Sequence, residues 1–323
     1  MGVDNSDMKS VLEGFSLQCK QAMNLPKGMY VSGDVSNVVI LGMGGSAIAG
    51  DVVKALMHDS NVPVHVVRDY LLPSFVSMDS LVFAVSYSGN TEETLEATKT
   101  ALKRNAKVIG ISCGGAMQGL VKKHIKVPAG LQPRCALGTM LFPILGVLSN
   151  SKLIEIKAAD ITETLTLLEN KAQFQERAKV IVKLMKGRTP LIYSSETLRP
   201  VAMRWKTQFN ENGKMAAYFN TFSEMTHNEI CSYESMRRGE DVVIMFKDTM
   251  DHPRIQKRME LSKAIMKENA DVIEVAAKGI SLLARMLSTI HLGDWTAYYA
   301  ALDRRVDPTP VGIIEKLKKM MEE

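Results

Sequence analysis

The chain has 323 residues, with 40 Lys and Arg against 35 Asp and Glu, so its formal net charge at pH 7 is only +5. A charge this small argues against a nucleic-acid-binding protein and modestly favours a small anionic ligand. Hydrophobic residues make up 46% and charged residues 23%, which excludes a disordered chain, and the length predicts two globular domains.

The first half alternates short apolar runs with longer helical stretches. The apolar runs predict strands at residues 38–41, 64–67, 81–85, 108–111 and 125–127. Helices are expected after the first and third of these strands, ending near Met57 and Arg104. Continuously apolar strands separated by helices indicate a parallel sheet covered by helices on both faces.

The second half repeats this pattern more loosely. It predicts strands at 191–193, 242–246 and 271–275, and helices through Phe209, at 253–267, at 280–302 and from 311 to the end. The helical stretch 140–150 and the polar segment 151–160 resemble a link, so we place an N-terminal domain at 1–152 and a C-terminal domain at 153–323. The predicted fold is α/β, with two doubly wound parallel-sheet domains and a natural cleft between them.

A glycine-rich loop, GMGGS at residues 42–46, joins the first predicted strand to its helix. Such a junction presents backbone N–H groups at the positive end of a helix, and Ser46 adds a hydroxyl, so it is typical of a phosphate site. A tight turn without a ligand is one alternative. A dinucleotide site is another, because four residues fit its GxGxxA pattern and acidic partner: Gly42, Gly44, Ala47 and Asp69.

A second loop, at residues 86–91, again follows a predicted strand and precedes a helix. Its three hydroxyl residues, Ser86, Ser88 and Thr91, lie within six positions. Hydroxyl and backbone donors can surround the three terminal oxygens of a phosphate monoester without a lysine. A dinucleotide site has no use for this second cup, whereas a serine-rich helix cap is a plainer alternative.

The four cysteines, Cys19, Cys113, Cys135 and Cys231, stand far apart without a CxxC pair. This spacing predicts neither a zinc site nor a disulfide framework and favours a reducing compartment, which we expect to be the cytoplasm. No apolar run approaches the roughly 20 residues that span a bilayer, and the N-terminus lacks the pattern of a secretion signal. We therefore expect no metal, no membrane association and no nucleic-acid partner.

Five motifs in chain order resemble the bifunctional phosphoglucose/phosphomannose isomerase family: GMGGS, VSYSGNTEET, Pro133-Arg134, FNEN and HNE. The SGNT segment is similar to the phosphate loop of sugar isomerase (SIS) domains. The resemblance runs from Gly42 to the terminal Leu317-Lys318. It implies two SIS-type domains, sugar-phosphate substrates and no cofactor. It also implies metal-independent exchange of glucose 6-phosphate and mannose 6-phosphate with fructose 6-phosphate through a cis-enediol.

The resemblance also implies how the substrate is held. The residues expected to bind its phosphate are Gly45, Ser46, Ser86, Ser88 and Thr91. Arg134, directly after a proline, is expected to stabilise the enediolate. The residue pattern alone favours a solvated loop charge for Arg134.

Glu211, in the FNEN segment, corresponds to the family's proton-transferring base. The sequence places it at the end of a predicted helix that stops at Asn212-Gly213. A carboxylate there faces the negative end of the helix dipole, which strengthens it as a base. A surface glutamate at a frayed helix end is the alternative.

His227, in the HNE motif, is expected to open the sugar ring and to reach the site from the partner subunit of a homodimer. Lys318 is expected to assist, although Lys316 and Lys319 crowd it and leave the register open. Some family members carry a threonine where this chain has Val311, so the relative mannose activity also stays open.

A non-catalytic SIS module that senses a phosphosugar is the main rival, because it would keep the hydroxyl cup without needing Glu211 or His227. A dinucleotide-dependent oxidoreductase is a weaker rival. The predicted helix at 280–302 is more apolar than covering one sheet face requires, so part of it is expected to pack on the partner subunit. A helix buried within its own domain is the alternative.

Overall fold

The computed structural model of the chain describes residues 3–322. Within this range the strands are β1 Asn37–Leu41, β2 Val64–Val67, β3 Ser80–Val85, β4 Lys107–Ser112, β5 Lys123–Lys126, β6 Thr189–Ser194, β7 Tyr218–Thr221, β8 Asp241–Lys247 and β9 Asp271–Ala276. The helices are α1 Met8–Glu13, α2 Phe15–Ala22, α3 Gly44–Leu56, α4 Glu92–Lys103, α5 Gly115–Leu120, α6 Leu137–Asn150, α7 Ala158–Glu169, α8 Lys171–Met185, α9 Arg199–Glu211, α10 Phe222–Met225, α11 Pro253–Met266, α12 Leu282–Asp303 and α13 Gly312–Glu322.

The first sheet has the order β2-β1-β3-β4-β5, and all its strands are parallel. Every residue of β1 and β3 is buried, as expected for central strands covered on both faces. On one face Val39 and Val82 pack with Ala97 of α4. On the other face α3 lies so close that a Cβ on Gly50 would stand 2.8 Å from Ile40 Cγ2. The predicted parallel sheet of the first half is confirmed.

Helix α6 is a core helix and not a connecting segment. Eleven of its fourteen residues are buried, among them Met140 and Ile144, which are completely covered. The sequence LGTMLFPILGVLSN is apolar on all sides, and such a helix is stable only where it is enclosed. The expectation that residues 140–150 form part of a link is therefore wrong.

The second sheet has the order β7-β6-β8-β9 and is also parallel throughout. The edge strand β7 was not predicted, because its four residues, YFNT, form no continuous apolar run. Trp205 of α9 packs edge-on against Phe246 of β8, with ring centroids 4.9 Å apart. The Trp205 Nε1–H donates to the Thr289 carbonyl at 2.8 Å. These contacts fix α9 on one face of the sheet.

The chain forms two compact units. The N-terminal unit comprises Gly14–Glu169 and Lys278–Ser288, and the C-terminal unit comprises Met1–Glu13, Asn170–Ala277 and Thr289–Glu323. Each unit contains one of the parallel sheets, so the predicted α/β fold with two such sheets is confirmed. The bounds of these units differ from the predicted domains 1–152 and 153–323, which stay a prediction.

Helix α12 contributes residues to both units and is buried along most of its length. The sequence suggested that apolar residues of α12 could pack on a partner subunit. Three of them are 0% exposed within the single chain: Leu287, Ile290 and Trp295. The alternative of a buried helix is therefore correct for α12. In residues 3–322 no helix combines the length and the apolar character needed to cross a membrane.

Candidate active site

The glycine-rich loop after β1 packs closely against the backbone of the Pro133-Arg134 segment. Gly44 adopts a φ of +49°, in the left-handed region that favours glycine. A Cβ on Gly45 would stand 2.9 Å from the Pro133 carbonyl oxygen and 3.0 Å from Arg134 Cα. No side chain caps the start of α3, which leaves the amino-terminal end of this helix suited to an anion. The structure thus brings the first loop and the Pro133-Arg134 motif together.

Arg134 lies in a three-residue 3-10 helix, Pro133–Cys135, and is 2% exposed. The short helix is closed by the Cys135 N–H donating to the Gln132 carbonyl at 2.8 Å and by the Ala136 N–H donating to the Pro133 carbonyl at 3.2 Å. Arg134 is therefore a buried group beside the glycine-rich loop and not the solvated loop charge that its local sequence also allows.

The second loop is organised around the hydroxyl of Ser86, which is only 1% exposed. Its Oγ accepts from the N–H groups of Gly89 and Thr91, at 3.1 and 3.4 Å. The same Oγ lies 2.8 Å from Thr91 Oγ1. Either hydroxyl can donate in this last bond, so Ser86 is bonded within the loop and shares a proton with Thr91. Ser88 is exposed at the loop surface.

The backbone of the second loop is packed against the loop that follows β4. Gly89 has a φ of +74°, and a Cβ there would stand 1.8 Å from the Gly114 carbonyl oxygen. The Met117 N–H donates to the Gly89 carbonyl at 2.9 Å, and the Ala116 N–H donates to Asn90 Oδ1 at the same distance. No residue larger than glycine fits at position 89, so the hydroxyl cup is a preformed loop.

Asp69, the acidic residue of the dinucleotide alternative, belongs to a local turn after β2. Its Oδ1 accepts from the N–H of Tyr70 at 2.6 Å and from the N–H of Leu71 at 3.4 Å. These two hydrogen bonds explain why an aspartate stands at this turn, and no contact to a ribose is needed to explain it.

In the C-terminal unit, Glu211 is the last residue of α9 and is half-buried. The helix ends there as the sequence predicts. The Lys214 ammonium group donates to the Glu211 carbonyl oxygen and to the carbonyl oxygens of Pro308 and Pro310. Lys214 therefore joins the end of α9 to the segment that precedes α13.

A buried charged network underlies this end of α9. The Arg204 guanidinium donates from Nε to Asp294 Oδ1 at 3.2 Å and from Nη2 to Asp294 Oδ2 at 3.3 Å. Gln208, one turn before Glu211, donates from Nε2 to Asp294 Oδ1 at 2.7 Å. All three side chains are at most 3% exposed. Burial raises the pKa of Asp294, and the bonds from Arg204 and Gln208 oppose that rise.

His227 lies in the turn after α10 and is exposed. The adjoining Glu229 fixes this turn, because its carboxylate accepts from the Tyr193 hydroxyl at 2.7 Å and from Asn220 Nδ2 at 2.6 Å. The Tyr233 hydroxyl completes the group by donating to the Tyr193 oxygen at 3.0 Å. These bonds anchor the segment two residues after His227 to strands β6 and β7.

Lys318 lies on α13 together with Lys316 and Lys319, and all three are exposed. The structure therefore leaves the register among these lysines open. The large apolar side chains of α13 are exposed too, at Ile313, Ile314, Leu317, Met320 and Met321.

Two kinds of site residue were missed from the sequence. Glu229 lies inside the HNE motif but was given no role, and its pairing with Tyr193 and Asn220 follows only from the strand register. Asp294 carries no local signal, because its partners are more than 80 residues away in the chain. In residues 3–322, no group of three His, Cys, Asp or Glu side chains is placed to hold a metal ion.

Family models match the chain in two places. An SIS domain model matches residues 34–119, and a model described as the bacterial phospho-glucose isomerase C-terminal SIS domain matches residues 174–321. The matched ranges contain the glycine-rich loop, the hydroxyl cup and the segments that carry Glu211, His227 and Lys318.

Curated relatives are similar over almost the whole chain. A bifunctional phosphoglucose/phosphomannose isomerase of Thermoplasma acidophilum is 42% identical over 298 residues, which cover 90% of this chain and 92% of that protein. The isomerase of the same name from Caldicellulosiruptor bescii is 40% identical and covers 95% and 96%. In fold, the C-terminal domain of glucosamine-fructose-6-phosphate aminotransferase from Francisella tularensis is similar, with a TM-score of 0.73 at 16% identity, covering 93% and 97%.

Proposed function

The chain belongs to the bifunctional phosphoglucose/phosphomannose isomerase family of enzymes, and on this premise we propose that it converts glucose 6-phosphate and mannose 6-phosphate to fructose 6-phosphate and back. The observation that carries the proposal is the preformed hydroxyl cup at residues 86–91. A neutral, donor-rich cup recognises a phosphate monoester, and family membership leaves the dinucleotide alternative without support.

The phosphate is held by both loops of the N-terminal unit. Ser88 and Thr91 donate their hydroxyl protons to it, and at the start of α3 Gly45 presents its backbone N–H and Ser46 its hydroxyl. Ser86 acts through Thr91, because its own hydroxyl is bonded within the loop. This arrangement fixes the substrate by the part that does not react.

The reaction itself requires three further steps. His227 and Lys318 open the ring by moving a proton to the ring oxygen and from the anomeric hydroxyl. Glu211 then moves a proton between C1 and C2, which passes through a planar cis-enediol. Arg134 stabilises the negative charge that develops on the enediolate oxygen. Because the enediol has lost the stereocentre at C2, the same site serves both the glucose and the mannose epimer.

We assign no metal to these steps. The direct test is an assay of the purified, chelator-treated protein with each aldose phosphate, following fructose 6-phosphate. Product from both substrates is expected. If neither substrate gives fructose 6-phosphate while the protein still binds it, the non-catalytic phosphosugar-binding module becomes the better description.

We further propose a cytoplasmic homodimer in which His227 completes the partner's site. Two observations support it: His227 is exposed, and α13 carries an exposed apolar face from Ile313 to Met321. Cys19, Cys113 and Cys231 are free thiols, as suits a reducing compartment.

Complementation tests the shared site. An inactive His227→Ala chain and an inactive Glu211→Gln chain, refolded together, should form about half heterodimers with one intact site each. Activity should then recover to roughly a quarter of wild type by this arithmetic. Heterodimers of confirmed size that stay inactive would show that each site is built within one chain.

A further inference from the structure

The 3-10 helix that carries Arg134 is only three residues long. Two backbone hydrogen bonds close it, and the following helix α6 begins at Leu137 without a capping side chain from its own N-cap residue, Ala136. An uncapped helix start leaves N–H groups that need partners. Contacts from outside the junction therefore contribute to holding the Arg134 backbone in place.

The side chain of Gln18, on helix α2, holds the junction at two points. Its Nε2 donates to the Cys135 carbonyl at 2.9 Å, and its Oε1 accepts from the Gly138 N–H at 2.8 Å. One amide thus bonds the residue directly after Arg134 and also caps the first turn of α6. A Cβ on Gly138 would lie 2.8 Å from Gln18 Oε1 and 2.9 Å from Cys19 Sγ, so only glycine fits at position 138.

The glycine-rich loop makes the second external contact. A Cβ on Gly45 would stand 2.9 Å from the Pro133 carbonyl oxygen and 3.0 Å from Arg134 Cα. The glycine-rich loop therefore packs closely against the Arg134 backbone, and Gln18 bonds the carbonyl of the next residue, Cys135. Both contacts lie within the N-terminal unit.

We propose that Gln18 is a positioning residue for Arg134: its amide fixes the turn from which the buried Arg134 side chain extends, next to the glycine-rich loop. This inference rests on the proposed role of Arg134 in stabilising the enediolate. A displacement of a charge-stabilising group by about 1 Å can cost up to roughly 100-fold in rate, while the phosphate cup is unaffected.

The first test replaces Gln18 by Leu, which removes both hydrogen bonds at similar volume. Its kcat should fall about 10-fold or more, and its KM for fructose 6-phosphate should stay within about twofold. Gln21→Leu is the matched control, because Gln21 is an exposed glutamine on the same helix. It should leave both constants unchanged.

The second test, Gln18→Glu, separates positioning from general stability. The ionised carboxylate still accepts from the Gly138 N–H but cannot donate to the Cys135 carbonyl, whereas the protonated carboxyl can do both. Its kcat relative to wild type should therefore rise as the pH falls toward the pKa of the introduced carboxyl. Gln21→Glu should give a flat ratio. This variant also answers the question if Gln18→Leu does not fold.

The outcomes distinguish this inference from the proposed function. If Arg134→Leu is as active as wild type, the proposed role of Arg134 fails and the inference fails with it. If Arg134→Leu loses activity but Gln18→Leu matches Gln21→Leu, only the positioning role of Gln18 is overturned. A pH-independent activity ratio for Gln18→Glu would also overturn it.

Discussion

The two loops of the N-terminal unit that we propose to bind phosphate and the end of α9 in the C-terminal unit are held by different chemistry. In the first region, glycines close the loops, and hydroxyl and backbone N–H groups of the second loop bond to Ser86. In the second, a buried ion pair between Arg204 and Asp294 supports the helix that ends at Glu211.

The difference follows from the chemistry proposed for each part. A phosphate is already ionised, so a neutral cup that donates hydrogen bonds can bind it without burying a charge of its own. Glu211, the base that we propose, must instead be held at a fixed position, and the bonds that Gln208 and Arg204 make to Asp294 hold its helix against α12. The largest effects are therefore expected where the chemistry is direct, and smaller ones in the supporting groups.

Glu211→Gln should have the largest effect, because it keeps the shape of the side chain and removes the base. The expected fall in kcat is on the order of 100-fold to 10,000-fold. In heavy water, wild-type product should carry deuterium at the exchanged carbon. Glu176→Gln, at an exposed position of the same unit, is the control. Full activity of the Glu211 variant would exclude Glu211 as the base.

Asp294→Ala should destabilise the C-terminal unit by about 3–5 kcal/mol, because it leaves the Arg204 guanidinium buried without its carboxylate. Both tryptophans of the chain, Trp205 and Trp295, are buried in this unit, so urea unfolding followed by tryptophan fluorescence reports on it. Asp303→Ala, exposed on the same helix, is the control.

A paired replacement sharpens this result. Arg204→Met combined with Asp294→Leu removes both charges and should recover most of the lost stability. If the double variant is as unstable as Asp294→Ala, the loss comes from packing and not from an unpaired charge. The contrast between the two units would then be weaker than we describe.

The double variant Ser88→Ala/Thr91→Ala tests the neutral cup. It removes about two hydrogen bonds to a charged group, worth roughly 3 kcal/mol together, so KM for fructose 6-phosphate should rise about 100-fold. Thr100→Ala, farther along α4, should change nothing. An unchanged KM in the double variant would refute the phosphate assignment.

Much of the N-terminal unit could be predicted from the sequence, because its information is local. The apolar runs that form β1 to β4 and the glycines and hydroxyls after them lie within a few residues of one another. The local sequence does not show that the Ser86 hydroxyl is bonded within the loop, because these hydrogen bonds depend on the geometry of the turn.

The C-terminal unit was less predictable, because its key pairings join distant segments. The short polar strand β7 gave no apolar signal, and the apolar residues of α12 left open whether the helix packs on a partner or is buried within its own chain. Asp294 meets Arg204 only after α12 has packed on α9. Composition and periodicity do not reveal such a pair, because either residue alone is typical of a solvated surface.

The smallest effect concerns a second buried ionisable group of the C-terminal unit. His291 is 1% exposed, and its Nε2 accepts from the Trp295 Nε1–H at 3.0 Å. Burial lowers the pKa of His291 to about 3. Between pH 6.5 and 3 the unfolded chain takes up a proton that the folded chain does not, so acidification should favour unfolding by up to about 1.4 kcal/mol per pH unit.

His291→Gln keeps a neutral acceptor for Trp295. The variant should reduce the pH dependence of the unfolding free energy by about 1 kcal/mol per unit between pH 6 and 5. Urea unfolding followed by tryptophan fluorescence measures it, and His58→Gln, exposed in the N-terminal unit, is the control. Equal slopes in the His291 variant and wild type would mean that the buried imidazole does not contribute to acid sensitivity.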